Sequence, residues 1–217
     1  KDLVYQTINF LNNEMNSSND LYYASMDADT DGEEGKYYSF NLNEIELISS
    51  EQTDLFYSYF NVDPDRPWDN NKFLLIPKRD LKSWLNSNSL NKNEFLKIKE
   101  NWISEILKIK SKRTKPRIDD KTIVSWNALS IIGLIDAYEA FKDDLLLTQA
   151  EDKFNTLLKM GYKNNMLIHT FKDRQYQDGV LEDYAFLAKA AMRLFQTTGE
   201  EFYFNKSKEI IDDSIKY

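Results

Sequence analysis

Two long stretches of helical periodicity, residues 122–141 and 143–160, are separated by Lys142 alone. A connection that short forces the two helices to reverse and pack side by side as an antiparallel hairpin. The arrangement recurs where Gly199 divides a helical pattern over 181–198 from another that opens at Glu200. A glycine just past the last apolar position is a helix stop. The other connections, after about Glu14, Lys112 and Met160, are long and charged. In an up-and-down array every second connection lies at the same end. Residues 27–36, 117–121 and 161–181 are therefore expected on one rim, with 61–90 an insertion at the opposite end.

Leu3, Val4, Thr7, Ile8 and Leu11 mark a first helix over 2–14. Phe95, Ile98, Trp102, Ile103, Ile106 and Ile109 mark another over 91–112. The aromatic-rich runs 21–25 and 36–40 read as strands of a small β-hairpin around an acidic tip. Asn43 is placed to cap a short helix, and 53–60 reads as a second one. Three of the four prolines (Pro64, Pro67, Pro77) make 61–90 mostly loop, and 166–171 is a short strand. These readings predict a mainly α chain of antiparallel helical hairpins with one small β-hairpin, a single domain over 1–217.

Composition excludes several chemistries. The chain has no cysteine and one histidine, His169. Disulfides, thiolate nucleophiles, cysteine zinc sites and His-based metal clusters are thereby removed. No cofactor and no metal is expected. Freedom from cysteine suits a reducing compartment, and a cytoplasmic location is expected. The net charge of −8 argues against a nucleic-acid partner, because phosphate affinity comes from Lys and Arg. Residues 128–135, the longest apolar run, are far short of the roughly 20 residues of a bilayer span, so no membrane partner is expected. Lys1 stands where an initiator would, and the chain reads as a segment of a longer protein.

Asp27, Asp29 and Asp31 before Gly32 imitate the start of a calcium loop, but Tyr38 occupies the position of its closing carboxylate. A solvated or salt-bridged acidic tip is the expectation. Asp119 and Asp120 precede a predicted helix start, and Glu182 and Asp183 lie in the first turn of another. Either these acids serve the positive helix ends, or they face each other as general acid and base across a sugar-binding cleft. Arg113, Arg117, Lys121, Lys172 and Arg174 share the loops with the acids, either pairing with them or binding an anionic ligand. Trp126 and Tyr184, beside the charged loops, are candidate stacking platforms. His169 reads as a hydrogen-bonded structural histidine, able to titrate near neutrality if placed at the mouth.

Three motifs occur in order: Asp27-Ala-Asp-x-x-Gly-Glu-Glu-Gly-Lys36-x-Tyr38, Pro116-x-Ile-Asp-Asp-Lys-x-x-x-Ser-Trp-Asn127, and His169 with Asp173 and Leu181-x-Asp-Tyr-Ala-Phe186. Together they resemble the helical region of the spermatogenesis-associated protein 20 family, which includes bacterial thioredoxin-domain proteins. The resemblance implies a thioredoxin-like domain elsewhere in the parent chain. It also implies a six-hairpin α/α toroid like that of glycosidases and N-acylglucosamine 2-epimerases, of which this chain would form an open arc. Departures are Glu182, where the family has a first aspartate, Ala128 for a common glycine, and the run from Arg174 to Gln177.

The expected function is carbohydrate binding or processing through an acidic mouth, with a sugar-like ligand and Asp119, Asp120, Glu182 and Asp183 as acid–base candidates. Binding candidates are Asp27, Asp29, Glu33, Glu34, Lys36, Arg117, Lys121, Trp126, Asn127, His169, Arg174 and Tyr184. The alternative is a non-catalytic scaffold supporting the thioredoxin-like module.

Overall fold

The computed structural model of the protein describes residues 1–163, 166–172 and 175–216. It is mainly helical with small antiparallel sheets. The first leg of the chain holds α1 (Asp2–Glu14) and β1 (Tyr23–Met26). The middle leg holds β2 (Asp29–Thr30), β3 (Glu33–Glu34), β4 (Phe40–Asn41), α2 (Leu42–Ser49), α3 (Thr53–Phe60), β5 (Lys72–Phe73), α4 (Leu81–Ser87) and α5 (Lys92–Lys110). The last leg holds β6 (Ile118–Ile123), α6 (Val124–Phe141), α7 (Asp144–Gly161), β7 (Tyr162–Lys163), β8 (Met166–Lys172), β9 (Gln175–Asp178), α8 (Leu181–Thr198) and α9 (Glu201–Ser214). Two compact units result: a terminal unit, Lys1–Met26 with Ile118–Tyr217, and a middle unit, Asp27–Arg117. Among the described residues no helix is long and apolar enough to cross a membrane.

In the terminal unit α6 packs against both α7 and α8, and α8 against α9. The predicted reversal at Lys142 is built from one left-handed residue (φ 54°, ψ 41°) that ends α6, then Asp143, whose side chain caps α7 by accepting from the Leu145 N–H. Phe154, Leu157, Ile131, Ile135, Leu187 and Leu194 are fully buried between the helices. Each contributes on the order of 1.5–3 kcal/mol by leaving water. Gly199, at φ 76°, ends α8 as its position predicts.

A five-stranded antiparallel sheet in the order β1-β6-β8-β7, with β9 also on β8, lies in the same unit. This corrects two expectations. Residues 118–121 are not a loop leading into a helix but part of a strand paired on both sides, with Tyr23 opposite Thr122 and Ile123 opposite Thr170. The helix opens at Val124, so Asp119 and Asp120 cap nothing. The runs 21–25 and 36–40 are not hairpin partners either: β1 pairs with β6, and Phe40 pairs with Phe73.

The middle unit packs around an aromatic cluster in which Phe56, Phe95 and Trp102 are almost wholly buried beside Tyr59, Phe60 and Trp84. Asn41, not Asn43, caps α2, and it forms a reciprocal capping box with Glu44. Asn91 and Glu94 do the same for α5. The 61–90 stretch contributes β5 and α4 between its loops. The acidic tip is a minimal hairpin: Thr30 pairs with Glu33 across Asp31 (φ 54°) and Gly32 (φ 76°). Two successive positive-φ residues make the tight turn that Asp-Gly favours, instead of a loop wrapped around a cation.

Candidate functional site

The site of interest in the terminal unit is organised by Asp183, in the first turn of α8. Gly179 places that turn. Its N–H donates to the Leu167 carbonyl at 2.8 Å, and a Cβ there would stand 2.4 Å from the same oxygen, so only glycine allows the approach. Tyr184 completes the anchor, its hydroxyl accepting from the Leu167 N–H at 3.0 Å.

Asp183 is fully buried, and burying a carboxylate requires strong partners. Its Oδ2 accepts from the Val180 N–H at 2.9 Å, at the start of its own helix. Oδ1 accepts from the Ser125 N–H at 3.0 Å, at the start of α6. One carboxylate thus serves two helix N-termini, where negative charge is favoured. His169 Nδ1 lies 2.9 Å from Oδ2 and 3.1 Å from Oδ1. Because the carboxylate already accepts two backbone N–H groups, it is an acceptor toward the ring as well, and Nδ1 carries the proton. Nε2 is left with the lone pair. His169 sits where β8 gains an extra residue against β9, between the pairs Ile168–Asp178 and Thr170–Gln177. Such bulges re-aim a side chain out of regular register.

Glu182 precedes Asp183 but stays exposed, accepting from Ser125 Oγ at 2.9 Å. Ligating atoms of His169, Glu182 and Asp183 lie within 4.8 Å of one another. Trp126 follows Ser125 and is 52% exposed. The arrangement can therefore move a proton at His169 Nε2, steady the resulting imidazolium with Asp183, and present Glu182 beside it.

Other candidates have different surroundings. Asn127 is buried and holds Tyr22 from both sides, accepting from its N–H at 2.7 Å and donating to its carbonyl at 3.0 Å. Tyr184 is buried at the anchor described above. Asp119 pairs with Lys121, and Asp120 with Lys172. The Lys121 ammonium holds the Asp119 carboxyl below its usual range, and Lys172 does the same to Asp120. Arg174 lies outside the described residues. Ser125 and Gly179 complete the cluster. Ser125 stood in the second sequence motif without an assigned role, Gly179 carried no signal, and Lys172, recognisable by its charge, belongs with Asp120.

Asp27, Asp29, Glu33, Glu34, Lys36 and Arg117 belong to the middle unit. Asp27 and Arg117 stand 3.9 Å apart as an exposed pair, Lys36 pairs with Asp31 at 3.0 Å, and Lys72 pairs with Glu33. Asp29 and Glu34 are exposed partners across the hairpin. This is the salt-bridged acidic tip.

No protein-family model matches the chain. The chain is similar to the Caenorhabditis elegans "Uncharacterized protein B0495.5", at 30% identity over 110 residues, 46% of this chain. It spans 15% of that relative's length.

Proposed function

We propose that the terminal unit binds a sugar-like ligand at the exposed edge of the Asp183 cluster and moves a proton on it through His169. In this reading Glu182 is the second ligand-facing group and Trp126 the stacking surface. Asp119 and Asp120, each held by a lysine, tune the surrounding charge, and Asp183 positions the imidazole. The proposal takes the helical hairpins as an arc of an α/α toroid in a thioredoxin-domain protein, as the resemblance implies. The observation that carries it is the fully buried Asp183 carboxylate bonded to Nδ1 of a histidine whose side chain is 27% exposed. A structural histidine needs no buried anion, whereas a base working at Nε2 needs its other nitrogen fixed.

Backbone amide NMR of the full chain against a panel of mono- and disaccharides tests the reading. Shifts around 125–127 and 180–184, lost in His169→Asn and Glu182→Gln with the melting temperature little changed, are the expected result. Absence of any such shift overturns it. That outcome would favour the scaffold reading, which draws support from Asp183 tying two helix starts together.

A further inference from the structure

We propose that the middle unit carries a separate binding site for a small phosphorylated ligand, in the cavity bounded by the Asp-Gly hairpin, the start of α2 and the segment after α5. Its volume is about 350 Å³, within the range of small-metabolite pockets. Lys36, Lys72, Lys112 and Arg113 line it together with the carboxylates of Asp31 and Glu44. Lys72 is also paired with Glu33, so four cations stand against three carboxylates. The charge left over in the hollow is that of Lys112, positive in a chain whose net charge is −8.

The wall is built. Arg113, with 15% of its side chain exposed, donates to the carbonyls of Lys36, Tyr37 and Ser39 at 3.2, 3.1 and 2.7 Å, and to Glu44 Oε1 at 2.7 Å. Its other face lies over the Phe40 ring, 4.6 Å from the centroid. Glu44 is consumed by this contact and by its capping box, so it neutralises Arg113 and nothing else. Lys36 and Asp31 form an open pair, both side chains more than two-fifths exposed, which water already weakens. Lys112 has no carboxylate partner among the described residues.

An independent observation points the same way. Thr30, 5% exposed, lines the cavity, and its Oγ1 is buried with no hydrogen-bond partner among the described residues. Buried hydroxyls are ordinarily satisfied, so this one has a hydrogen bond to gain from any ligand oxygen that reaches it. A phosphate monoester fits the whole set. It carries nearly two negative charges near neutrality and three acceptor oxygens for ammonium groups and a hydroxyl. A neutral sugar would leave the Lys112 charge uncompensated.

The experiment titrates the full chain with inorganic phosphate, glucose 6-phosphate and glucose, read by calorimetry and by amide shifts of residues 30–44 and 112–114. Glucose 6-phosphate is expected to bind and glucose not to, with affinity falling as salt rises. Tighter binding of glucose 6-phosphate than of phosphate identifies an organic phosphate as the ligand; equal binding limits the site to the phosphate group. Lys112→Gln, at an exposed position beyond α5, should weaken binding about tenfold, the worth of one charge-assisted hydrogen bond, without moving the melting temperature. Thr30→Val should weaken it too while keeping the fold. Binding of neither phosphate compound, or binding unaffected by both substitutions, overturns the proposal.

Discussion

Asp183 Oδ1 accepts the backbone N–H of Ser125 at 3.0 Å across 58 residues of sequence, so the start of α6 is capped by a side chain from α8. Replacing Asp183 with alanine strands that N–H, the Val180 N–H and the His169 ring together. Loss of a buried charged partner should destabilise the chain by about 3–5 kcal/mol. Asp183→Asn, which keeps one acceptor oxygen, should lose less. Urea unfolding of both variants, followed by circular dichroism, checks the order.

Gly179 tests the same cluster through the backbone. Alanine there must push its Cβ into the Leu167 carbonyl, and overpacking of that kind costs roughly 1–3 kcal/mol. The displaced turn should also loosen the His169–Asp183 contact, visible as a changed imidazole resonance in the NMR spectrum.

Tyr22 makes stability depend on alkaline pH. Burial pushes its hydroxyl up from 10.0 to about 12, and the Lys153 ammonium lies 4.0 Å from its ring centroid. A group raised in the folded state contributes stability that is complete below its unfolded value and lost as pH rises through the folded one. The urea midpoint should therefore fall between about pH 10 and 12, less steeply in Tyr22→Phe. Lys153, held below its usual value by burial, acts in the opposite sense: the cost of burying its charge is relieved as pH rises toward 10.5.

Asp119 and Asp120 act at the acid end. Both are held below 3.8, so the stability they lend is present above that value and lost as pH falls through their folded midpoints. Carboxyl NMR titration should place both midpoints low. Lys172→Met should raise that of Asp120 more than that of Asp119, since Lys172 bonds directly to Asp120.

Helices were legible because burial writes its period into the sequence, as in Ile131, Leu134 and Ile135. The strand over Ile118–Ile123 was not, because its polar Asp-Asp-Lys run is carried by ladders that remote residues contribute, β1 opposite Ile118, Asp119 and Thr122 and β8 opposite Thr122 and Ile123. Asp31-Gly32 was a turn signal in plain view, obscured by the calcium-like spacing of the aspartates. Glu182 and Asp183 look alike as letters, yet adjacent positions on a helix point about 100° apart. One is exposed while the other is sealed, and only the packed neighbours decide which. The unpartnered Thr30 hydroxyl had no counterpart in the sequence at all.

Met26 and Ile118 face each other in one antiparallel ladder, and everything from Asp27 to Arg117 is spliced between them. The spliced segment closes on itself, the Asp27 N–H donating to the Arg117 carbonyl at 2.8 Å. Such an insert brings its own ends together, so its host is spared the loop-closure entropy that an unstructured excursion of that length would impose. Exchanging it for a two-residue turn would convert β1 and β6 into an ordinary hairpin, and the same junction offers a point at which a foreign domain can be grafted.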